Sequence, residues 1–246
     1  MKLFCDLHIH SALSPCGDMD MTPNNIVNMA ILKGLSMIAL TDHNSVGNVR
    51  AMLQCAKDKP LCVVPGMELE TMEEAHFVCL FPTIEQAEDF EAYIQPYRMG
   101  IENRPDIFGE QAYMNAEDDI IAHEPVLLAA ALTLSIYDAA PVVSQLGGVI
   151  LPAHVDKSSY SVISNLGAVP EDLGFTAVEL SKNTSFAAAL TTWPYLADYQ
   201  AITSSDAHYL WDIYETQQAI DLAELSAPCL VETLRKAKNS GTSIEK

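Results

Sequence analysis

The sequence predicts an α/β chain whose parallel strands, joined by crossover helices, curl into a barrel. Three observations predict it. Short apolar runs alternate with helix-like stretches, the pattern of parallel strands buried on both faces. The 246 residues, 49% of them hydrophobic, suffice for a large core and match a length that α/β barrels occupy as one domain. Every histidine except His123 falls at the end of one of those runs, and the strand-end rim of a barrel is where such enzymes gather their chemistry.

The first strand spans Lys2 to His8. Thr22-Pro23 then starts a helix through Lys33, with Gly34 as its stop. Ser36 to Thr41 reads as the second strand, and Ser45 starts the next helix. Leu61 to Pro65 and His76 to Phe81 are the third and fourth strands. The stretch from Phe81 to Gly148 is too long for a simple crossover. It carries "YRMGIENRPDIFG", "AEDDIIAHE" and "PVLLAAALTLSIYDAA", and predicts an insertion of two or three helices over about residues 83–147, serving as a lid or substrate-binding element. Its acidic run Glu117 to Asp119 reads as a solvated helix start. Strands resume at Gly148 to Pro152, Ala177 to Leu180, Ala201 to Thr203 and, weakly, Gln217 to Ile220. Cys229 to Lys238 reads as a closing amphipathic helix with a frayed tail beyond it. The expectation is one domain over residues 1–246.

Charge narrows the partners. With 33 acidic against 13 basic residues the net charge is −20, which predicts neither long nucleic acid nor an anionic membrane as a partner. A small phosphorylated substrate fits only where bound cations reverse the local field. The six cysteines form no CxxC pair and read as reduced and structural. No positively charged apolar leader precedes the first strand and no apolar run is long enough to span a bilayer, so the expected location is cytoplasmic.

Polar residues interrupt the strands at their ends. The first ends in His8-x-His10, the second in "TDH" with His43, and the third in "PGMELE" with Glu68. The fourth opens with His76, the fifth ends in "PAH" with His154, and the seventh in "SSDAH" with Asp206 and His208. Residues two apart on an extended strand point to the same side, so His8 with His10, and Asp206 with His208, can reach one site. Imidazole and carboxylate together suit Zn²⁺, Fe²⁺ or Mn²⁺, and so many of them imply more than one ion. Each signal is weak alone, since a single buried histidine is more often a core residue and an aspartate before a helix is often its cap. Their succession at strand ends is what points to a metal centre.

In "DLHIHS", "TDHN", "PGMELE", "HFVCLF", "PAHVD" and "SSDAH", in that order from Asp6 to His208, the chain resembles the PHP, or polymerase and histidinol phosphatase, superfamily. The resemblance implies a distorted (β/α)7 TIM-like barrel with the insertion after strand 4, two or three divalent metal ions (Zn, Mn or Fe), and hydrolysis of phosphate esters. It implies that His8, His10, Glu68 and Asp206 hold one metal; His43, His208 and a residue of the loop after His-x-His a second; and Glu68, His76 and His154 a third. The loop residue matches Asp18, with Asp20 competing. The family's Ser-Asp-Gly order is replaced here by "PCGDMD", and Cys16 could approach the metals too. His208, Asp206 and His43 are the expected catalytic residues. Lys157, Lys182 and Arg104 are the expected substrate-binding cations, with Arg98 a further candidate. Asp6 and Asp42 are expected to orient a ligand imidazole through its other nitrogen, or else to cap a helix or strand end. The leading expectation is a phosphomonoesterase acting on histidinol phosphate, a nucleotide or a similar small ester. The alternatives are a phosphodiesterase or exonuclease, and a regulatory module that keeps metals without turnover.

Overall fold

In β1 (Lys2–Ile9) the residues Leu3, Cys5 and Leu7 share one buried face, as period-two alternation requires. The computed structural model describes residues 1–236. After β1 come α1 (Pro23–Leu32), β2 (Met37–Leu40), α2 (Val49–Ala56), β3 (Cys62–Glu70) and β4 (His76–Leu80). The insertion follows, with α3 (Ile84–Ile94), α4 (Pro105–Phe108), β5 (Ala112–Met114), β6 (Ile120–His123) and α5 (Ile136–Gln145). The chain then runs through β7 (Val149–Pro152), α6 (Val162–Leu166), β8 (Ala177–Leu180), α7 (Phe186–Thr192), β9 (Gln200–Thr203), β10 (Ala219–Asp221) and α8 (Ala227–Arg235). α1 begins where capping chemistry places it: Thr22 Oγ1 accepts from Asn25 N, Pro23 stands in the first turn, and Gly34 at φ 77° follows the last turn.

Six strands form one curled sheet in the order β10-β1-β2-β3-β4-β7, and β8 pairs with β9 in a second sheet. β1, β2 and β3 are parallel, whereas β4 runs antiparallel to both β3 and β7, and β10 is antiparallel to β1. Of the expected distorted (β/α)7 barrel the structure shows an α/β fold with a curled six-strand half-barrel. The parallel pair β8 and β9 meets it at the rim through short contacts rather than ladders: Val155 N to Glu179 O on one side and, on the other, an isolated bridge in which His10 N donates to Ala207 O and Ala207 N to His8 O. Connection length explains the antiparallel step: only five residues separate β3 from β4, too few for a crossover helix.

One face of β1, β2, β3, β4, β7, β8 and β9 gathers around the apolar side of α8, where Leu230, Val231 and Leu234 are buried. A larger cluster packs the other face of the strands against the outer helices. The lower part of the barrel is thus plugged, and the polar strand ends are left for the opposite rim. The closing helix stops at Arg235; Lys238 and the expected frayed tail lie outside the described residues.

The insertion carries three helices, α3, α4 and α5, but is not helical throughout. Its middle is a β-hairpin, β5 against β6, and Glu117 to Asp119 form the turn between those strands instead of a helix start. The Ala/Leu-rich stretch runs as loop until Ser135 caps α5. Arg98, half-buried, donates to Asn44 O at 2.7 Å and pairs with Glu91 at 3.1 Å, so it ties the insertion to the "TDHN" loop. No helix among the described residues is long and apolar enough to cross a membrane.

Candidate metal centre

The rim collects six histidines on two carboxylates. Glu68, 1% exposed, lies within ion-pair distance of five rings: His76 Nδ1 at 2.8 Å, His43 Nδ1 at 3.0 Å, His154 Nε2 at 3.1 Å, His8 Nε2 at 3.3 Å and His10 Nε2 at 3.4 Å. Asp206 Oδ1 stands 3.3 Å from His10 Nε2 and 3.5 Å from His8 Nε2. His208 closes the group by stacking on His10, with ring centroids 4.3 Å apart.

Local backbone explains the convergence. The pairing of β1 with β2 slips register between Asp6 and Ile9, and such a bulge changes strand parity. Leu3, Cys5 and Leu7 can then face the plugged core while His8 and His10 reach the rim. β4 descends from the rim because it is antiparallel, so His76 serves the site from the start of its strand, whereas the other ligands come from strand ends. His154 and Asp206 both have left-handed backbone, at φ 29° and 53°, a conformation that persists only where the surroundings over-determine it.

Hydrogen bonding sets the tautomers. His8 Nδ1 donates to the Glu179 carboxylate at 3.0 Å, and His208 Nδ1 to the backbone carbonyl of Asp206 at 2.8 Å. Ser14 Oγ gives its own proton to Asp42 Oδ1 at 2.7 Å, so at 2.9 Å it accepts from His10 Nδ1. In each ring the proton sits on Nδ1 and the Nε2 lone pair is free. His8 Nε2 and His10 Nε2 therefore face each other at 3.2 Å, both beside carboxylate oxygens. Acceptors crowded this closely need protons or cations between them, so the donor set fits divalent metals. The groups His8/His10/Glu68, His43/Glu68/His76 and His10/His43/His208 each bring their ligand atoms within 4.8 Å of one another.

Without metal the protons supply the charge. Burial disfavours a charged ring at His10 and His76, yet both are pushed up to about 9, His10 by Asp206 and Glu68 and His76 by Glu68 and Glu70. Burial would raise Glu68, but His76, His8 and His43 hold it well below the usual carboxylate range. Burial would likewise raise Asp206, which His8 and His10 hold far below it. His208 goes the other way, pushed down to about 4 by burial and then by His10 beside it.

The expected substrate cations separate. Lys157 contacts Asp206 Oδ2 and lines a cleft of about 180 Å³ over the cluster, together with Ser159 and Tyr160. Lys182 is exposed and pairs with Asp212 at 3.3 Å, and Arg104 is exposed and pairs with Asp106 at 2.8 Å; neither lines the cleft. Asp18 donates through its backbone N to His208 O at 2.9 Å, and its carboxylate is in none of the three clustered ligand groups. Its Oδ1 accepts from Asp20 N at 2.8 Å, and Asp20 is exposed, while Cys16 Sγ sits 3.3 Å from His43 Nε2. Asp6 orients no imidazole: it accepts from Ser205 N and Tyr214 N, fixing the loop that carries Asp206. Asp42 acts on His10 through Ser14.

Residues that sequence reasoning missed are Glu179, which holds His8 and accepts from His154 N at 3.1 Å, and Tyr160, whose ring stacks on His76 at 5.1 Å. Glu179 had a signal, a carboxylate inside the apolar strand run "AVEL". Tyr160 had none.

Residues 6–137, more than half of the chain, match the family model of the PHP domain. The chain belongs to the PHP family. An uncharacterised protein of Methanocaldococcus jannaschii is 32% identical over 102 residues, covering 41% of this chain and 13% of that protein. A lesion-specific endonuclease from Pyrococcus furiosus shares the PHP chain's fold over 99% of its length at a TM-score of 0.74, with 19% identity and 58% of the endonuclease covered. An endonuclease Q in complex with a 27-mer duplex bearing an abasic lesion gives 0.72, with 18% identity and the same coverages. A candidate metal-dependent phosphoesterase from Bifidobacterium adolescentis gives 0.57, with 17% identity over 83% of this chain and 87% of that one. The PHP chain thus spans little more than half of the endonucleases it resembles. The duplex-bound endonuclease overturns the expectation that charge alone removes nucleic acid from the partners: the same fold acts there on DNA.

Proposed function

We propose that this PHP chain is a metal-dependent phosphoesterase whose centre is built around Glu68. The observation that carries the reading is the convergence of five imidazoles on that one buried carboxylate. His8, His10, Glu68 and Asp206 would hold one metal, His43 and His208 a second with a loop donor, and Glu68, His76 and His154 a third. Such ions, whether Zn, Mn or Fe, supply charge neutralisation at phosphate and acidify the attacking water. The chain's own residues do the rest. Glu179 and the Ser14–Asp42 pair keep Nδ1 of His8 and His10 protonated, so their Nε2 lone pairs stay aimed inward. Burial lowers the Lys157 amine but Asp206 raises it further, so it remains an ammonium and would donate to a phosphate or leaving-group oxygen in the cleft. Tyr160 covers His76 and limits water on that side.

The small cleft with one ammonium suits a terminal phosphate on a small ester, the substrate class of the leading reading. A second reading, cleavage of phosphodiesters in nucleic acid, is favoured by likeness to the endonuclease fold along 99% of the chain. The insertion over about residues 83–147 is the proposed substrate-facing element in either case. The test is hydrolysis by metal-depleted protein reconstituted with Mn²⁺ or Zn²⁺, against small phosphomonoesters, nucleotides, and single- and double-stranded oligonucleotides with and without an abasic site. Metal-dependent turnover lost in Asp206→Ala and His208→Ala supports the reading, and the substrate used decides between its two forms. Absence of turnover on every substrate by metal-loaded protein counts against both.

A further inference from the structure

We infer that Cys16 is a metal ligand of this centre, supplying a sulfur donor beside His43 and His208 where the PHP resemblance leads one to expect an aspartate. The inference rests on the metal-centre reading above and names the donor which that reading leaves open. Among the described residues Cys16 is the one exposed cysteine; the other five are buried or half-buried. Its Sγ lies 3.3 Å from His43 Nε2. Two donors on one tetrahedral zinc, with Zn–S about 2.3 Å and Zn–N about 2.0–2.1 Å, stand roughly 3.6 Å apart, so sulfur and nitrogen already have nearly the spacing of shared coordination.

Two further observations point to a ligand role. The group His10/His43/His208 presents three ring nitrogens within 4.8 Å of one another and includes no carboxylate, so it lacks the anionic donor that the Glu68 groups have. The loop aspartate, Asp18, is tied to His208 through its backbone N and accepts from Asp20 N through Oδ1, and none of the three clustered ligand groups includes its carboxylate. The backbone on either side of Cys16 is also held. A Cβ at Gly17 would lie 2.4 Å from Ser11 O, and a Cβ at Gly109 of the insertion would lie 1.9 Å from Pro15 O. The thiol is presented by a turn packed tightly on both sides.

Binding exchanges a proton for the ion. The S–H bond breaks, sulfur keeps the electron pair and donates it to the metal, and the proton leaves to solvent with no change of oxidation state. A thiolate among imidazoles favours Zn²⁺ or Fe²⁺ over Mn²⁺, so this site and the sites that Glu68 supplies with a carboxylate would differ in metal preference.

The test uses the full chain, metal-depleted and then loaded with Zn²⁺, treated with iodoacetamide and read by peptide mass spectrometry with half-buried Cys229 as internal reference. Metal should slow alkylation at Cys16 by about tenfold or more and leave Cys229 unchanged, because a coordinated sulfur is withheld from the reagent. Loading with Co²⁺ instead should give sulfur-to-cobalt charge-transfer absorption in the near ultraviolet that Cys16→Ser abolishes, and Cys16→Asp should shift preference from Zn²⁺ toward Mn²⁺. If bound metal is measured but Cys16 reacts at the same rate and the cobalt spectrum lacks the sulfur band, the thiol is not a ligand and the phosphoesterase reading stands. If the protein retains no metal, the reading and the inference fall together.

Discussion

Replacing Glu179 tests whether the residues behind the ligands matter as the geometry requires. Glu179 is 1% exposed, and its Oε1 accepts both from His8 Nδ1 at 3.0 Å and from His154 N at 3.1 Å. In Glu179→Gln one amide oxygen can still accept both bonds, so packing and tautomer survive while the negative charge behind His8 is lost. Partners of this kind are worth about 10- to 100-fold in metal affinity, on the order of 1.4–2.7 kcal/mol. Glu179→Ala does more. It leaves two buried donors unpaired at about 1–3 kcal/mol each, so on the order of 2–6 kcal/mol of stability should go with it. Competition against a chromophoric chelator reads the first effect and thermal unfolding of metal-free protein the second. A glutamine variant that binds metal within about twofold of the parent chain would refute the claim that Glu179 tunes His8.

Two other perturbations bear on the cleft and on the protons. Lys157→Ala should lower kcat/KM by about 10- to 100-fold, the worth of a hydrogen bond from a charged donor, while Lys182→Ala and Arg104→Ala change it by less than about twofold; equal losses in all three would show that the cleft is misassigned. In the metal-free protein the burial-disfavoured but carboxylate-paired rings of His10 and His76, pushed up to about 9, hold protons below that pH, and metal must displace them. Apparent metal affinity should therefore rise with pH toward about 9, up to about tenfold per unit for each proton released, and then flatten. Calorimetry in buffers of different ionisation enthalpy counts those protons, and an affinity independent of pH between 7 and 9 would contradict the assignment.

Much of the site was legible because its residue types are conspicuous where they stand. A histidine at the end of an apolar run has few structural reasons to recur six times, and period-two spacing placed His8 with His10 on one side. The alternation argument reached the right answer through a simpler route than the molecule takes, since a register slip in β1 is what turns those rings to the rim. The antiparallel β4 was not legible, because His76 at a strand start reads the same as a strand-end residue until the direction of the strand is known. The hairpin of the insertion was hidden by composition: "AEDD" suits a helix start as well as a turn, and only the pairing of Ala112 with His123 decides. The loop after His-x-His holds a donor that the resemblance does not point to. The resemblance implies Asp18, with Asp20 competing, whereas the side chain that the structure sets against His43 from the turn before Gly17 is Cys16. Lys182 was a candidate because it follows the sixth strand and Arg104 because it lies in the insertion, and each instead pairs with a surface aspartate.

The central claim is that Glu68 organises more than one metal ion. Metal content per chain, measured by plasma mass spectrometry after reconstitution and desalting of the parent protein and of Glu68→Gln, tests it most directly. The geometry predicts at least two ions per parent chain, as expected when one carboxylate serves several imidazole groups, and a loss of one or more in the variant with the fold retained by circular dichroism. A parent protein holding a single ion, or a variant that keeps the full complement, would contradict it.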